Sequence, residues 1–333
     1  MSFEEYRDVW VFVECFEGKP KNVGLELLGE GRKLADALNQ RLCAVVIGRN
    51  SEDAKRLSAE YGADVIYSVQ GDEYSYYTTD AYGHAFLELV KKYLPDTILI
   101  GATVNGRDLA SKLAVDLETG LTADCTALSV EEDTGNVVWE RPTFGGNLYA
   151  RILCAETRPQ MGTVRPGAFK KPLPEEGRVV SVVEESIIPE RMRLEILEIL
   201  ENHEHEGIPL PEASVIVSGG RGMKKPESFS MLQDLAEALG GTIACSRAVV
   251  DAGWLASSKQ VGQTGTTVSP ELYIACGISG AVQHLAGMSE ARTIIAINSD
   301  ETAPIFEVAD YCLVGDVFEI VPAITKELKT RRA

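Results

Sequence analysis

The feature that most constrains this chain is a rhythm: short apolar runs of strand length alternate with helical stretches through the first 120 residues. Val9-Trp10-Val11-Phe12-Val13 is the first such run. Residues 22–39 then place Leu27, Leu28, Leu34, Ala35 and Leu38 at helical spacing, and a second strand runs through 42–47. Helix 51–61, strand 64–68, helix 78–93, strand 97–101 and helix 106–118 continue the series. Strict alternation of elements this long predicts a parallel sheet with helices on both faces.

After Gly120 the rhythm gives way to short extended segments. Asp133-Thr134-Gly135-Asn136 reads as a hairpin turn, and 148–155 and 178–184 read as further strands. Pro159, Pro166, Pro172 and Pro174 forbid a long helix between them. A helix over 190–201 is expected next, leading into Asn202-His203-Glu204-His205-Glu206-Gly207, Pro209 and Pro211. At 333 residues the chain is too long for one ordinary core. A boundary in a linker over 202–212 divides it into an N-terminal α/β domain, 1–205, and a C-terminal domain, 206–333. His203 and His205 lack a third ligand nearby, so they read as part of a solvated linker and no metal site is expected.

The second unit restarts the rhythm. Strand 214–217 runs into Ser218-Gly219-Gly220-Arg221-Gly222, then a proline-initiated helix over 226–239. Strand 242–245 follows, and Ser246-Arg247 opens a short helix. A Gly-rich loop at 261–267, strand 272–276, helix 280–286, strands 293–297 and 311–314 and helix 317–329 complete it. The expected fold class is therefore α/β: two doubly wound domains with mainly parallel sheets. In such sheets ligands bind outside the carboxyl ends of the strands.

Charge and cysteine use narrow the function classes. The formal net charge is −18, and a nucleic-acid or membrane-surface binder needs a basic footprint instead. Residues 1–210 carry 22 basic and 36 acidic side chains, whereas 211–333 carry 10 and 14, so the C-terminal third is the better home for an anionic ligand. Seven cysteines stand singly, most in apolar runs such as Leu42-Cys43-Ala44-Val45-Val46. They read as small buried hydrophobes of a reducing compartment. The acidic start, Met1–Asp8, is no secretory leader, and no apolar run approaches membrane-spanning length. A cytoplasmic protein without membrane insertion or nucleic-acid partner is expected.

Several motifs could carry chemistry. Gly29-Glu30-Gly31 lies inside a helical pattern and fails the strand-turn-helix context of a dinucleotide fingerprint. Ser218-Gly219-Gly220-Arg221-Gly222 meets that context: its glycines would let backbone N–H groups approach a phosphate, and Arg221 adds a charged donor. A tight structural turn explains the same residues equally well. Val261-Gly262-Gln263-Thr264-Gly265 offers an exposed backbone with hydroxyls, and Ser279 stands where a helix N-cap is expected. His284, one turn into that helix, fits either a packing role or a ligand contact. The set is what weighs: Arg221, Ser246, Thr264, Ser279 and Asn298 each follow a strand of one parallel sheet and so converge on one crevice.

These stretches, with Asp251-Ala252-Gly253-Trp254, Pro270-Glu271-Leu272-Tyr273-Ile274-Ala275, Gly277 to His284 and Gly315-Asp316, resemble the C-terminal domain of the electron transfer flavoprotein alpha subunit. Leu27-Leu28-Gly29-Glu30-Gly31-Arg32 and Arg158-Pro159-Gln160-Met161 to Arg165-Pro166-Gly167 extend the resemblance to nearly the whole chain. Where many members follow Gly265 with a lysine and an aliphatic residue, this chain has Thr266-Thr267.

The resemblance implies a heterodimer with a beta subunit, FAD in the C-terminal domain, and a domain that swivels about the linker. Its flavin contacts map onto Arg221, Ser246, Arg247, Val261, Gly262, Gln263, Thr264, Ser279, Gly280, Ala281, Val282, Gln283, His284, Asn298, Asp316 and Val317. Arg247, His284 and the helix start at Ser279 would supply positive potential to a reduced flavin, and the Thr264 hydroxyl would reach its N5. Paired carboxylates or a nucleophile with its base do not stand out, so no hydrolytic or transferase activity and no catalytic side chain of the chain's own is expected. The implied function is electron passage between a dehydrogenase, such as acyl-CoA dehydrogenase, and other redox partners. A sharper version is a bifurcating complex with NADH and ferredoxin, and the opposing class is a non-redox nucleotide-binding module.

Overall fold

A computed structural model describes residues 3–143, 148–199 and 208–332. It divides into two compact units, one made of the described residues up to 199 and the other of 208–332. No helix among the described residues is long and apolar enough to cross a membrane.

In the first unit the chain forms β1 (Val9–Phe12), a small hairpin of β2 (Cys15–Phe16) and β3 (Lys19–Pro20), α1 (Asn22–Leu38), β4 (Leu42–Gly48) and α2 (Glu52–Glu60). It continues through β5 (Val65–Gln70), α3 (Thr79–Tyr93), β6 (Thr97–Gly101), α4 (Val104–Asp116) and β7 (Leu121–Cys125). Then come β8 (Ala127–Val130), β9 (Val137–Thr143), β10 (Leu148–Leu153), β11 (Gln160–Val164) and β12 (Ser181–Glu185). Seven strands make one sheet in the order β12-β5-β4-β1-β6-β11-β7, all parallel. Strand periodicity of two splits the core across it. Val9, Val11, Leu42, Ala44 and Val46 face α1 through Leu27, Leu28 and Leu34. Trp10, Phe12, Cys43, Val45 and Ile47 face α3 and α4 through Phe86, Leu89, Leu109 and Leu113. Helix starts follow local chemistry: the Thr78 and Thr103 hydroxyls accept from the Ala81 and Gly106 amides.

Two parts of this unit differ from the sequence expectation. Strands β7, β11 and β12 join the parallel sheet; the sequence marks a strand at 178–184, where β12 falls, but gives no strand at β7 or β11. Strand β11 is fully buried although it reads Gln-Met-Gly-Thr-Val. Its polar side chains are absorbed by a network: Arg158 Nε lies 2.6 Å from Asp96 Oδ1, and Gln160 Nε2 lies 3.0 Å from Asp96 Oδ2. Gln160 Oε1 accepts from the Val137 amide at 2.8 Å, and Asn136 Oδ1 accepts from Arg158 at 3.0 Å. Gly162 has no room for a Cβ, which would lie 2.2 Å from the Trp139 indole. Second, the helix expected over 190–201 is absent from its described part: 190–199 has no regular structure. Arg193 instead clamps Asp80 at the start of α3, donating its backbone amide at 2.9 Å and Nε at 3.0 Å. Leu194 and Leu197 remain 64% and 87% exposed, so the helical spacing there has no core to bury against. His203, His205 and most of the expected linker lie outside the described residues.

The second unit contains β13 (Val215–Gly219), α5 (Phe229–Leu239), β14 (Thr242–Cys245), α6 (Arg247–Asp251), β15 (Leu272–Cys276), α7 (Val282–Leu285), β16 (Ile294–Asn298), β17 (Tyr311–Val314) and α8 (Val317–Arg332). Its five strands run in the order β14-β13-β15-β16-β17, again all parallel. The expected α/β class with parallel sheets is what the chain adopts. The two faces are covered unequally. Val217, Ile274, Cys276 and Ile297 pack under α5 and α8. Ile216, Tyr273, Ala275 and Ala296 pack under loop residues Val261, Ile278, Met288 and Ile305, together with Leu210. Leu210 is 5% exposed, so this part of the expected apolar-poor linker is anchored to the second core. All seven cysteines are free; Cys43, Cys125, Cys245 and Cys276 are buried, whereas Cys312 is exposed.

Removing one partner of a buried ion pair strands the other charge, at a cost of about 3–5 kcal/mol. Arg158→Ala is therefore expected to destabilise the first unit by that amount in denaturant unfolding, with Asp96 left inside. A loss below about 1 kcal/mol would show that the network does not hold β11 in the sheet.

Candidate functional site

Five parallel strands deliver their carboxyl ends to one edge of the second sheet. The loops leaving β13 and β15 are zipped together there: the Gly220 amide donates to the Cys276 carbonyl at 2.9 Å and the Gly222 amide to the Gly277 carbonyl at 3.0 Å. A Cβ on Gly220 would meet Gly277 O at 2.2 Å, and one on Gly222 would meet Gly277 Cα at 2.7 Å. For the glycine amides this supports the structural-turn reading of Ser218–Gly222, and it leaves Arg221 as the part of the turn able to meet an anion. The glycines permit loop-to-loop contact, and the Gly220 and Gly222 amides are already committed. Arg221 projects from the same turn and is exposed.

At the end of β14, Ser246 occupies the N-cap position of α6 without making a side-chain cap bond. Arg247 follows on the first turn, 66% exposed and only loosely paired with Asp251 at 3.5 Å, so its cation faces solvent. The neighbouring loop is built by short bonds. Val261 N donates to Cys245 O at 2.9 Å, Gly262 N to Thr266 O at 3.2 Å, and Gln263 N to Gln283 O at 2.7 Å, which fastens the loop to α7. Gln260, 7% exposed, donates from Nε2 to Thr264 Oγ1 at 3.1 Å. Because the Thr264 oxygen accepts that bond, its own proton is free to donate. Val261 and Gly262 are buried, whereas Gln263 and Thr264 are exposed.

The third loop departs from expectation. Helix α7 spans four residues and starts at Val282, with Ala281 at the N-cap position. Ser279 is therefore not a cap, and no long helix supplies a dipole at this point. Gly280 is the reason: it adopts φ +90°, and a Cβ there would lie 2.2 Å from the Ile305 amide. Ser279, Ala281, Val282 and Gln283 are exposed around it, while His284 turns inward and is 6% exposed. Its Nε2 lies 3.0 Å from the Tyr273 hydroxyl. Its Nδ1 is buried with no hydrogen-bond partner among the described residues. Burial pushes the imidazole down to about 4, against a smaller upward pull from the Val261 backbone. His284 is therefore neutral at pH 7, which corrects the expectation that it adds positive charge; it can act as a hydrogen-bond donor.

The remaining predicted residues hold the edge itself. Asn298 donates to Ile278 O at 2.9 Å and accepts from the Asp300 amide at 3.0 Å. Asp316 caps α8, accepting from Phe318 N at 2.9 Å, and the Val317 side chain is buried in the core beneath that helix. Val317 is thus left with its backbone as the part able to meet a ligand.

Exposed cations at Arg221 and Arg247, a free hydroxyl at Thr264 and a buried neutral donor at His284 suit a planar heterocycle with carbonyl acceptors and an anionic tail. The unpartnered Nδ1 of His284 is the observation that fits a flavin most directly, since a buried polar atom left without a hydrogen bond costs about 1–3 kcal/mol. Among the described residues no three His, Cys, Asp or Glu side chains are placed to hold a metal. Gln260 and Tyr273 complete the site and are absent from the sequence-derived residues. The only sequence signal for them is a polar side chain inside or beside an apolar run.

Comparison with known proteins gives a family model described as "Electron transfer flavoprotein domain" over residues 9–188, and one described as "Electron transfer flavoprotein FAD-binding domain" over 209–289. The chain is 49% identical to "Electron transfer flavoprotein subunit alpha" of Thermoanaerobacterium thermosaccharolyticum, covering 98% of both chains. It is 48% identical to "Protein FixB" of Clostridium saccharobutylicum over 99% of this chain and 98% of that one. It is also 42% identical to "Acryloyl-CoA reductase electron transfer subunit beta" of Anaerotignum propionicum, covering 98% and 97%.

The depressed His284 basicity makes stability pH-dependent. Above about pH 6.5 the ring is neutral whether the chain is folded or not. As the pH falls from there towards 4, the unfolded chain binds a proton that the folded flavin-free protein does not. His284 is accordingly expected to cost up to about 3 kcal/mol of stability over that window. Denaturant unfolding from pH 7 to 4 should show a steeper loss for the parent than for His284→Leu; parallel curves would contradict a buried neutral ring.

Proposed function

The chain belongs to the electron transfer flavoprotein family as an alpha-type member, and from that premise we propose that its C-terminal domain, 206–333, binds FAD at the carboxyl edge of the five-stranded sheet. The observation that carries this reading is the convergence of Arg247, Thr264 and the unsatisfied His284 Nδ1 beside the strand ends. Bound flavin supplies the one- and two-electron chemistry of the family. The chain's own residues bind and tune it. Arg221 and Ser246 face the anionic tail with the loop Val261–Thr264. Arg247 places a positive charge where negative charge gathers on reduction. Thr264 donates its free hydroxyl proton, and His284 donates from Nδ1 without adding charge.

The N-terminal domain, 1–205, is the base on which a beta subunit docks to form the heterodimer. It leaves Val104, Val115, Leu173, Val179 and Leu197 between 75% and 94% exposed. Apolar side chains of this exposure are available for a partner to cover. The assembly works in the cytoplasm and exchanges electrons with a flavin dehydrogenase acting on an acyl-CoA. The relative whose name places it with acryloyl-CoA reductase supports that substrate class. Reduction of the purified complex by NADH in the presence of ferredoxin decides whether it also divides electrons between two acceptors.

The experiment is a spectroelectrochemical titration of the flavin-loaded heterodimer. Arg247→Ala removes a charge-assisted contact of roughly 1.5–3 kcal/mol and lowers the reduction potential. Removal of the neutral His284 donor acts in the same direction on a scale of about 0.5–1.5 kcal/mol. Unchanged potentials at full flavin occupancy would remove both residues from the electronic role. A colourless complex that binds no flavin would instead support a non-redox nucleotide-binding module.

Expressed without its beta subunit, the chain is expected to associate or precipitate through the bare apolar residues of its N-terminal domain. Sedimentation of a monodisperse, flavin-loaded monomer without any partner would contradict this.

A further inference from the structure

The buried pair Tyr273–His284 carries information that the surface contacts do not. Tyr273 lies in the middle of β15 and is 0% exposed, in a strand otherwise made of Leu, Ile, Ala and Cys. A buried phenol in such a place needs a hydrogen-bond partner. The partner is His284 Nε2 at 3.0 Å, reached from the loop layer that covers this face of the sheet.

The direction of that bond follows from counting donors and acceptors. A neutral imidazole has one N–H and one bare nitrogen, and the hydrogen bond made by one ring nitrogen fixes the state of the other. The Tyr273 hydroxyl has a proton to place; the Ser218 hydroxyl lies beside it but makes no hydrogen bond of normal geometry, so Nε2 is the acceptor bonded to it among the described residues. The hydroxyl therefore donates, Nε2 is bare, and the ring proton sits on Nδ1. Burial raises the Tyr273 phenol above its ordinary value and keeps that donor protonated.

The geometry points to Tyr273 as a positioning residue: its hydroxyl holds His284 in the Nδ1-protonated tautomer, so that the ring presents a donor at the flavin site. This rests on reading His284 as a flavin contact. Without the phenol proton the ring can take the other tautomer and present a lone pair at the same point. A lone pair facing a carbonyl that gathers negative charge on reduction opposes the reduction, so the consequence is a lower flavin potential.

The test uses Tyr273→Phe, which removes one oxygen and keeps the ring that packs the core. The four histidines of the chain make the imidazole nitrogens assignable by nitrogen-15 NMR, with His284→Gln identifying the signal. In the parent heterodimer, His284 is expected to show a protonated Nδ1 and a bare Nε2, with and without flavin. In Tyr273→Phe that fixed pattern is lost to the other tautomer or to exchange between the two. The flavin potential falls with it, while flavin occupancy and the unfolding midpoint hold. A protonated Nε2 in the parent protein overturns the proposal even if the variant does not fold. So does a variant in which either the tautomer or the potential is unchanged. Failure of the flavin reading shows separately, as a parent complex without flavin, and the nitrogen spectrum of that complex still decides the tautomer.

Discussion

The second unit depends on two loops lying backbone against backbone at the end of its sheet. The turn after β13 and the turn after β15 meet through Gly220, Gly222 and Gly277, at distances that exclude any side chain. That contact closes the centre of the carboxyl edge. Residues leaving β14 and β16 are thereby arranged around a fixed floor, with Ser246 N bonded to Gly219 O at 3.1 Å and Gly277 N bonded to Ile297 O at 2.9 Å. Arg221, Ser246 and the Val261–Thr264 loop stand beside this floor, and Gln263 fastens that loop to α7 through the Gln283 carbonyl. A parallel sheet brings its strand ends together by topology alone, and the glycines convert that convergence into one rigid edge.

The unequal roofing of the same sheet explains why the site is where it is. Helices α5 and α8 cover one face with conventional apolar packing. The other face is covered by loops, which can lower a polar side chain into the core without breaking a helix ladder. His284 is the result: a neutral ring inside an apolar layer, bonded below to Tyr273 and unsatisfied at its other nitrogen. The charge in the site comes from solvent-facing arginines, and the directional donors come from groups whose protons are set by buried neighbours. Gln260 does for Thr264 what Tyr273 does for His284.

Much of this was legible in the sequence because periodicity reports burial. The alternating elements of the first 120 residues, the strand ends of the second unit and the turn at Asp133–Asn136 follow it closely. Periodicity fails where burial is achieved by other means. Strand β11 is hidden because Asp96, Arg158 and Asn136 satisfy polar atoms that a reader of hydropathy counts as exposed. Residues 190–199 carry helical spacing yet are held in an irregular path by the Arg193–Asp80 clamp. Gly280 and Gly220 look like ligand-approach glycines, but their lost side chains would strike Ile305 and Gly277. Gln260 and Tyr273 act through one hydrogen bond each, a relation that no spacing along the chain records.

The central claim is that a flavin is held at the carboxyl edge of the second sheet by Arg247 and Thr264. Flavin binding to the apo heterodimer, followed by absorbance and counted by equivalents bound, tests it most directly in an Arg247→Glu, Thr264→Val double variant. Both side chains are exposed, Arg247 at the start of α6 and Thr264 on a loop, so the fold is expected to be unaffected. The account predicts the loss of one bound flavin equivalent, or an affinity at least about tenfold weaker, at an unchanged unfolding midpoint. Undiminished flavin binding by the double variant would contradict it.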